Sequence, residues 1–540
     1  INGDYFKAWL NLGGCYLFSN QGAKAKSCFL KASESPNDLE RSKALNNLAS
    51  ISLLIGEHYE GLQYIERSEM LETNSPNTEL TKGLLKLGQP ALNGRDYEEI
   101  LEIFYSAIAR NESLDSSNKT YEDSVARRAR TSACLASNYS SAIGLKESFA
   151  YHEEFGDRFD KAALPLKPAQ LDRHGGKLRI GYISPDFRAH SVAYFFESLA
   201  KAHDKEHFEI FCYYNHAQVD EMTQRLQGYA DHWRPIVGCS DEQVIEQIQN
   251  DGINILVDLA GHTAENRLTV FGHKPAPIQI TWLGYPNTTG LKSIDYRFTD
   301  SIADPVGEAD QFHTEQLIRL PNGMWCYEGD NTVDASTELP YDKHGYLTFG
   351  SFNNLAKVNA DVIKLWAQIL QEIPQSRLLL KAKQLADENT RQRITQQFSE
   401  HGVSSDRLIL KDMLPREEHL RLYADVDIGL DPFPFSGATT TCEALWMGVP
   451  VITLRGDRHV GRVGASMMHR IGLDNFISEN TSDYLNKAKH FANHLDELRS
   501  LRKSMRKRVS ESPLTNNHAF AKQIENAYHN MWEKKKWVLS

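Results

Sequence analysis

At 540 residues, 41% apolar and with a net charge of −11, the chain can hold several domains with their own cores and lacks the broad basic surface that nucleic acid requires. Its seven cysteines are scattered, odd in number and free of any Cys-x-x-Cys pair, which excludes a disulfide framework and a zinc ribbon and points to a reducing cytoplasm. No apolar run approaches the roughly 20 residues that cross a bilayer, so no membrane association is expected. The opening, INGDYFKAWLNLGG, carries no initiating methionine and no signal-like pattern. It reads as a truncation inside a repeat, which leaves a targeting segment upstream open.

The first elements are helical and repetitive. Trp9, Leu12, Gly13, Tyr16, Ala25 and Phe29 follow the tetratricopeptide pattern W-x2-L-G-x2-Y…A-x3-F. Leu48, Ala49, Gly56, Tyr59 and Ile65 make a second, weaker copy, and Gly94, Tyr97, Ile103 and Ala107 suggest a third. Residues 1–115 are therefore expected to be tetratricopeptide repeats, whose stacking makes a concave surface for extended peptides. A plain bundle of helical hairpins is the alternative. Residues 116–176 read as an irregular helical linker, closed by the prolines at 165 and 168.

From Lys177 short apolar, β-branched runs alternate with helical stretches. Strands are expected at 178–184, 208–214, 253–261, 278–286 and 296–300, with helices at 192–203 and 241–252 between them. The alternation restarts with strands at 347–352, 376–383, 406–412, 426–433 and 449–456. Two doubly wound domains follow, at 177–340 and 341–515, with a helix at 516–540. In such sheets ligands sit beyond the carboxyl ends of the strands, here expected in a cleft between the two domains.

The stretch FPFSGATTTCEALWMGVP (433–450) joins one of these strands to a helix. Gly437 and Ala438 let a ligand approach the backbone, and Thr439, Thr440 and Thr441 open the helix with hydroxyls beside its unpaired amides. That combination suits a phosphate. Glu443 is placed in the first turn, where its carboxylate can accept from a ribose diol. The competing reading makes Thr439 an ordinary N-cap. A Walker loop is absent.

Other candidates lie at equivalent strand ends. SFNNLAK supplies Asn353, Asn354 and Lys357, a lysine able to neutralise a diphosphate. LPREEHL supplies Arg416 and His419, an imidazole able to stack on a base. In the first domain, SPDFRAHSVAYF supplies His190 and DLAGHT supplies Asp258 and His262. LGYPNTTG makes a glycine-bounded loop with Tyr285 and Pro286, read together with His262 as sugar or acceptor contacts. Either histidine can act as acid, base or donor. The DVD at 425–427 falls at a helix–strand junction and no metal is expected there or elsewhere.

Taken together, LRIGYISPDFRAHSV, PAPIQITWLGYPNTTG, SFNNLAK, GATTTCEALWMGVPVITL and AYHNMWEK resemble the catalytic region of the O-GlcNAc transferase and SPINDLY family over residues 178–534, nearest its SPINDLY-like branch. The resemblance implies a GT-B fold of two Rossmann-like domains and an inverting, metal-independent transfer of sugar from a nucleotide diphosphate to Ser or Thr hydroxyls of proteins, with no cofactor. It implies that Lys357 stabilises the departing diphosphate, that Asn354 contacts it, and that Thr439 and Thr440 bind phosphate oxygens. His419 would stack on the base, Arg416 and Glu443 would hold the ribose, and the backbone at Leu414 would read the base edge. His190 would sit at the sugar and acceptor; the proton acceptor stays open among His190, Asp258 and a donor phosphate oxygen.

This chain departs from the animal enzymes of the family in several places. Ala438 stands where they carry histidine, Glu443 where they carry aspartate, Arg416 where they carry lysine and Asn354 where they carry glutamine. The long insertion between their catalytic domains is missing between Leu320 and Leu347. Plant SPINDLY shares the threonine-rich pattern and uses GDP-fucose, whereas bacterial-looking relatives of this shape are usually described as O-GlcNAc enzymes; the resemblance therefore implies UDP-GlcNAc as the expected donor, with GDP-fucose as the alternative. The expected partners are the nucleotide sugar and acceptor proteins bound through the repeats, with the oligomeric state open. A non-catalytic repeat scaffold with a nucleotide-sugar sensor, and a transferase acting on small molecules or polysaccharides, are the competing functions.

Overall fold

The structure is a computed structural model that describes all residues except 1–4, 20, 73–74, 114–118, 174–175 and 540. The expected boundary at 115/116 lies outside the described residues. The chain forms two compact units, one of residues 1–143, 341–419 and 432–434, the other of residues 144–340, 420–431 and 435–540.

In the first unit the repeats are antiparallel helix pairs: α1 (Phe6–Phe18) with α2 (Gly22–Ala32), α3 (Asp38–Ile55) with α4 (His58–Glu69), and α5 (Pro76–Leu87) with α6 (Gly94–Glu112). The pattern residues do the packing. A Cβ added to Gly13 would lie 2.5 Å from the Phe29 ring, and Phe29 is fully buried. The third copy differs from the sequence reading. Gly94, Tyr97, Ile103 and Ala107 all fall on α6, and its partner α5 was not recognised because it carries no aromatic landmark. There a Cβ added to Gly83 would lie 2.5 Å from the Phe104 ring, the same close glycine–aromatic approach as in the first pair. Two further helices follow, α7 (Lys119–Ala136) in the first unit and α8 (Leu145–Phe159) in the second.

The second unit contains a wholly parallel sheet of β1 (Leu178–Ser184), β2 (Phe208–Tyr214), β3 (His232–Pro235), β4 (Ile255–Asp258), β5 (Ile278–Thr281), β6 (Tyr296–Thr299) and β7 (Gln316–Arg319), in the order β3-β2-β1-β4-β5-β6-β7. β1 and β2 pair residue for residue from Leu178↔Phe208 to Ser184↔Tyr214. Order reverses between β1 and β4, the position where ligands of doubly wound sheets bind. The edge strand β3, HWRP, was unforeseen, since it is short, half-exposed and ends in proline. Helix Asn517–Leu539 returns to this domain, where Tyr528 and Tyr182 hydroxyls hydrogen-bond at 3.0 Å and Glu525 holds His203 Nδ1 at 2.9 Å.

The second α/β domain contributes strands to both units. β8 (Thr348–Ser351), β9 (Arg377–Lys381) and β10 (Leu408–Lys411) lie in the first, parallel and in the order β10-β9-β8. β11 (Ile428–Leu430), β12 (Val451–Leu454) and β13 (Ile477–Ser478) lie in the second, also parallel. Among the described residues no helix is long and apolar enough to cross a membrane.

Candidate functional site

The phosphate candidate is built from Asp431 outward. This residue follows β11 and is 1% exposed. Its Oδ1 accepts the Gly437 amide at 2.6 Å, its Oδ2 accepts the Thr453 hydroxyl at 2.7 Å, and its carbonyl accepts the Tyr484 hydroxyl at 3.1 Å. The loop so held delivers the chain to helix Thr439–Trp446, whose N-cap is Ala438 and which no side chain caps. Thr439 is therefore the first helical residue, and the reading of it as an N-cap fails. Its Oγ1 is buried and has no hydrogen-bond partner among the described residues. A side chain at Gly437 would crowd the hydroxyls of Thr441 and Thr440, at 2.6 and 2.9 Å from its Cβ. The amides of the first helical turn, the positive end of the helix dipole and a buried hydroxyl together make a place for an anion. Glu443 is 3% exposed and is the fifth helical residue, so it begins the second turn and not the first.

Near this loop, Arg502 donates to the carbonyls of Val426 and Tyr423, and its guanidinium attracts Asp427 and Asp425. The DVD aspartates thus lie within electrostatic reach of a buried protein cation.

In the first unit β8 ends in a turn, Leu355–Lys357, that carries Lys357 half-buried. Asn354 organises it: its Oδ1 accepts the Ala356 amide at 3.0 Å and its carbonyl accepts the Lys357 amide at 3.0 Å. Gln384 Nε2 also donates to Asn354 Oδ1. That leaves the exposed Asn354 presenting its amide N–H groups. Asn359, missed by the sequence reading, caps helix Ala360–Glu372 through Val362 N at 3.0 Å and donates to the Phe433 carbonyl at 2.8 Å. Leu414 and Arg416 are half-buried at the start of helix Arg416–Arg421. His419 is 7% exposed, with its ring 5.6 Å from Phe352, so the two segments of this unit touch.

In the first α/β domain, His190 is the N-cap of helix Ser191–Ala202, its Nδ1 accepting the Val192 amide at 3.3 Å. A neutral imidazole that accepts at Nδ1 carries its proton on Nε2 and offers a donor there. Burial, aided by Arg188, pushes its pKa down to about 4. Asp186 Oδ1 lies 3.5 Å from His190 Nδ1 and 3.4 Å from Arg188. Burial pushes the Asp186 carboxyl up to about 6 against the pull of Arg188 and His216. The sequence signal for Asp186 was its place in SPDF, at the end of β1.

Three other candidates are turned inward. Asp258 is 1% exposed and accepts from Thr281 Oγ1 at 2.8 Å, Ala260 N at 3.0 Å and Gly261 N at 2.9 Å. Its carboxylate holds the loop after β4, which argues against a role as proton acceptor. His262 is fully buried, its Nε2 bonded to the Thr289 carbonyl at 2.8 Å and its ring edge-on to Phe155 at 4.5 Å. Tyr285 is 2% exposed and bonded through its hydroxyl to His152 Nε2 at 2.7 Å. The His262 and Tyr285 side chains, read as sugar or acceptor contacts, fasten the 285–290 loop to α8, and Pro286 is half-buried on that loop. Glu315 completes the fastening by accepting Thr288 Oγ1 at 2.6 Å and Thr289 N at 2.7 Å.

The profile described as Glycosyl transferase family 41 matches residues 159–336 and 332–524. A tomato (Solanum lycopersicum) protein described as a probable UDP-N-acetylglucosamine–peptide N-acetylglucosaminyltransferase SPINDLY is 38% identical over 427 residues, covering 76% of this chain and 45% of its own length. An Arabidopsis thaliana protein with the corresponding description, named SEC, is 33% identical over 389 residues, covering 69% of this chain and 38% of its own. The chain thus spans less than half the length of these curated relatives. A solved structure of a mutant of Thermobaculum terrenum O-GlcNAc transferase is 29% identical with a TM-score of 0.88, covering 99% of this chain and 98% of the other. That match supports the GT-B reading of repeats followed by two parallel-sheet α/β domains. The chain belongs to glycosyl transferase family 41.

Proposed function

We propose that the protein is an inverting glycosyltransferase that moves a sugar from a nucleoside-diphosphate donor to Ser or Thr hydroxyls of acceptor proteins. The observation that carries this reading is the start of helix Thr439–Trp446, which no side chain caps, with the buried Thr439 hydroxyl beside it that has no partner among the described residues. As the glycosidic bond breaks, negative charge collects on the leaving phosphate, and donors fixed where that charge develops accelerate the step most. The helix amides with Thr439 and Thr440, and Lys357 with the Asn354 amide, are assigned that work. No metal is invoked. His419 is assigned to the base, the Leu414 backbone to its edge, and Arg416 and Glu443 to the ribose. His190 is assigned to orient the sugar or acceptor as an Nε2–H donor, a role its Nδ1 contact supports.

UDP-GlcNAc is the favoured donor, in keeping with the descriptions of the relatives. GDP-fucose is the second reading, supported by Ala438 and Glu443, where the nucleotide-facing residues depart from the animal enzymes. Acceptor proteins are assigned to the repeats, and a cytoplasmic setting accords with the free cysteines of the described residues. The test is calorimetric titration with UDP, GDP and their sugars, followed by transfer assays on an acceptor protein. Binding of one nucleotide, and loss of transfer by at least a hundredfold in Lys357→Ala, are expected. Normal transfer by that variant overturns the assignment.

A further inference from the structure

Two turns of the repeat array reach the segment of their own compact unit that carries Asn354 and Lys357. The turn after α3 opens on Gly56, with φ +90°, and a Cβ there would lie 3.2 Å from the Gln384 Cα. Beside it, Lys383 Nζ donates to the Leu54 carbonyl at 3.3 Å. The Gln384 side chain, 2% exposed, then donates to Asn354 Oδ1. The second turn lies between α5 and α6. Ala91 donates its amide to the Val358 carbonyl at 2.8 Å, and the Leu92 carbonyl accepts the Ala360 amide at 3.0 Å. These bonds begin at the residue next to Lys357 and straddle Asn359. Ala91 takes φ 60° to make them, a conformation uncommon for a residue with a Cβ.

We propose that Gln384 and the Ala91–Leu92 backbone are positioning groups for Asn354 and Lys357, so that the second and third repeat pairs are structural parts of the donor half-site as well as an acceptor surface. The inference rests on the assignment of Asn354 and Lys357 to the donor diphosphate. Lysine is flexible, so its ammonium is placed by its backbone and neighbours, and a displacement of about 1 Å at a reacting centre can cost on the order of a hundredfold in rate. Here that backbone is hydrogen-bonded to a repeat turn on one side, and the preceding asparagine is held by a glutamine seated on another.

The test uses the full chain with Gln384→Leu, which keeps the volume and removes the donor, and Ala91→Pro, which removes the amide and cannot take the positive φ of this position. Ala91→Gly, which keeps the amide and accepts positive φ, is the rescue. Both disruptive variants should lower kcat tenfold or more with the acceptor KM within twofold, while Ala91→Gly retains wild-type kcat. Should Ala91→Pro fail to fold, Gln384→Leu decides alone. A Gln384→Leu protein with wild-type kcat and donor KM overturns the proposal, as does a loss that tracks a lowered melting temperature and disappears on cooling. Lys357→Ala separates the two readings: if it too transfers normally, the donor assignment has failed; if it alone is inactive, only the coupling to the repeats has failed.

Discussion

Asp431 receives the Gly437 amide on Oδ1 at 2.6 Å, which sets a buried carboxylate directly behind the loop that opens the threonine helix. The loop is thus shaped from beneath by a charge that never needs to meet the ligand. Removing it in Asp431→Ala strands the Gly437 amide and the Thr453 hydroxyl, each at about 1–3 kcal/mol when buried. Nucleotide affinity is expected to fall at least tenfold alongside a measurable drop in unfolding free energy. Unchanged nucleotide affinity by calorimetry would remove Asp431 from the site.

Thr439→Val separates binding from stability. Its hydroxyl has no partner among the described residues, so an isosteric valine should leave folding stability unchanged or raise it slightly. Nucleotide diphosphate affinity should nevertheless fall about tenfold, the loss of one charge-assisted hydrogen bond. A stability loss with affinity intact would show that the hydroxyl serves the fold.

The Asp186–His190 pair predicts opposed pH effects on stability. His190, held near 4, is below its unfolded value, so the unfolded chain binds the extra proton between about 4 and 6.5 and stability from this group falls as pH drops through that window. Asp186, held near 6, is above its unfolded value, so its contribution is present below about 3.9 and is lost as pH rises through 6. Asp186→Asn should therefore stabilise the protein at pH 7 by roughly 1–3 kcal/mol and by little at pH 4. Denaturant titrations at the two pH values check this, and an equal effect at both would contradict it.

Asp304 and His459 form a buried pair at 2.7 Å, joining the first α/β domain to helix His459–Arg470 within one compact unit. Burial alone would raise the aspartate's pKa, yet His459 wins and holds it well below the carboxylate range. Its stabilisation is present above an unfolded pKa of about 3.9 and is lost as pH falls toward the lower folded value. Asp304→Ala should cost about 3–5 kcal/mol at pH 7, because it leaves the imidazole buried without its acceptor. Thermal unfolding at pH 7 measures it; a shift below one degree would refute the pair's importance.

Much of this architecture is legible in the sequence alone. The first two strands, 178–184 and 208–214, were read to the residue, because central strands covered on both faces are continuous apolar runs. The expected strand at 253–261 shortened to Ile255–Asp258, since its tail turns into the loop that Asp258 holds. The first repeat was legible through Gly13 and Phe29, which do meet, whereas α5 was silent because its packing residue, Gly83, carries no signature of its own.

The sequence by itself determined the repeats, the parallel α/β alternation, the threonine-rich helix start and the family, because those depend on local periodicity and on strings of neighbouring residues. Only the tertiary structure decided which candidates face inward. His262 and Tyr285 read as polar loop residues, yet α8 supplies His152 and Phe155 to bury them. Asp431, Gln384 and Ala91 looked ordinary until distant partners gave them roles. Burial and hydrogen-bond partnership are properties of pairs far apart in the chain, and no local pattern encodes which pairs the fold will bring together.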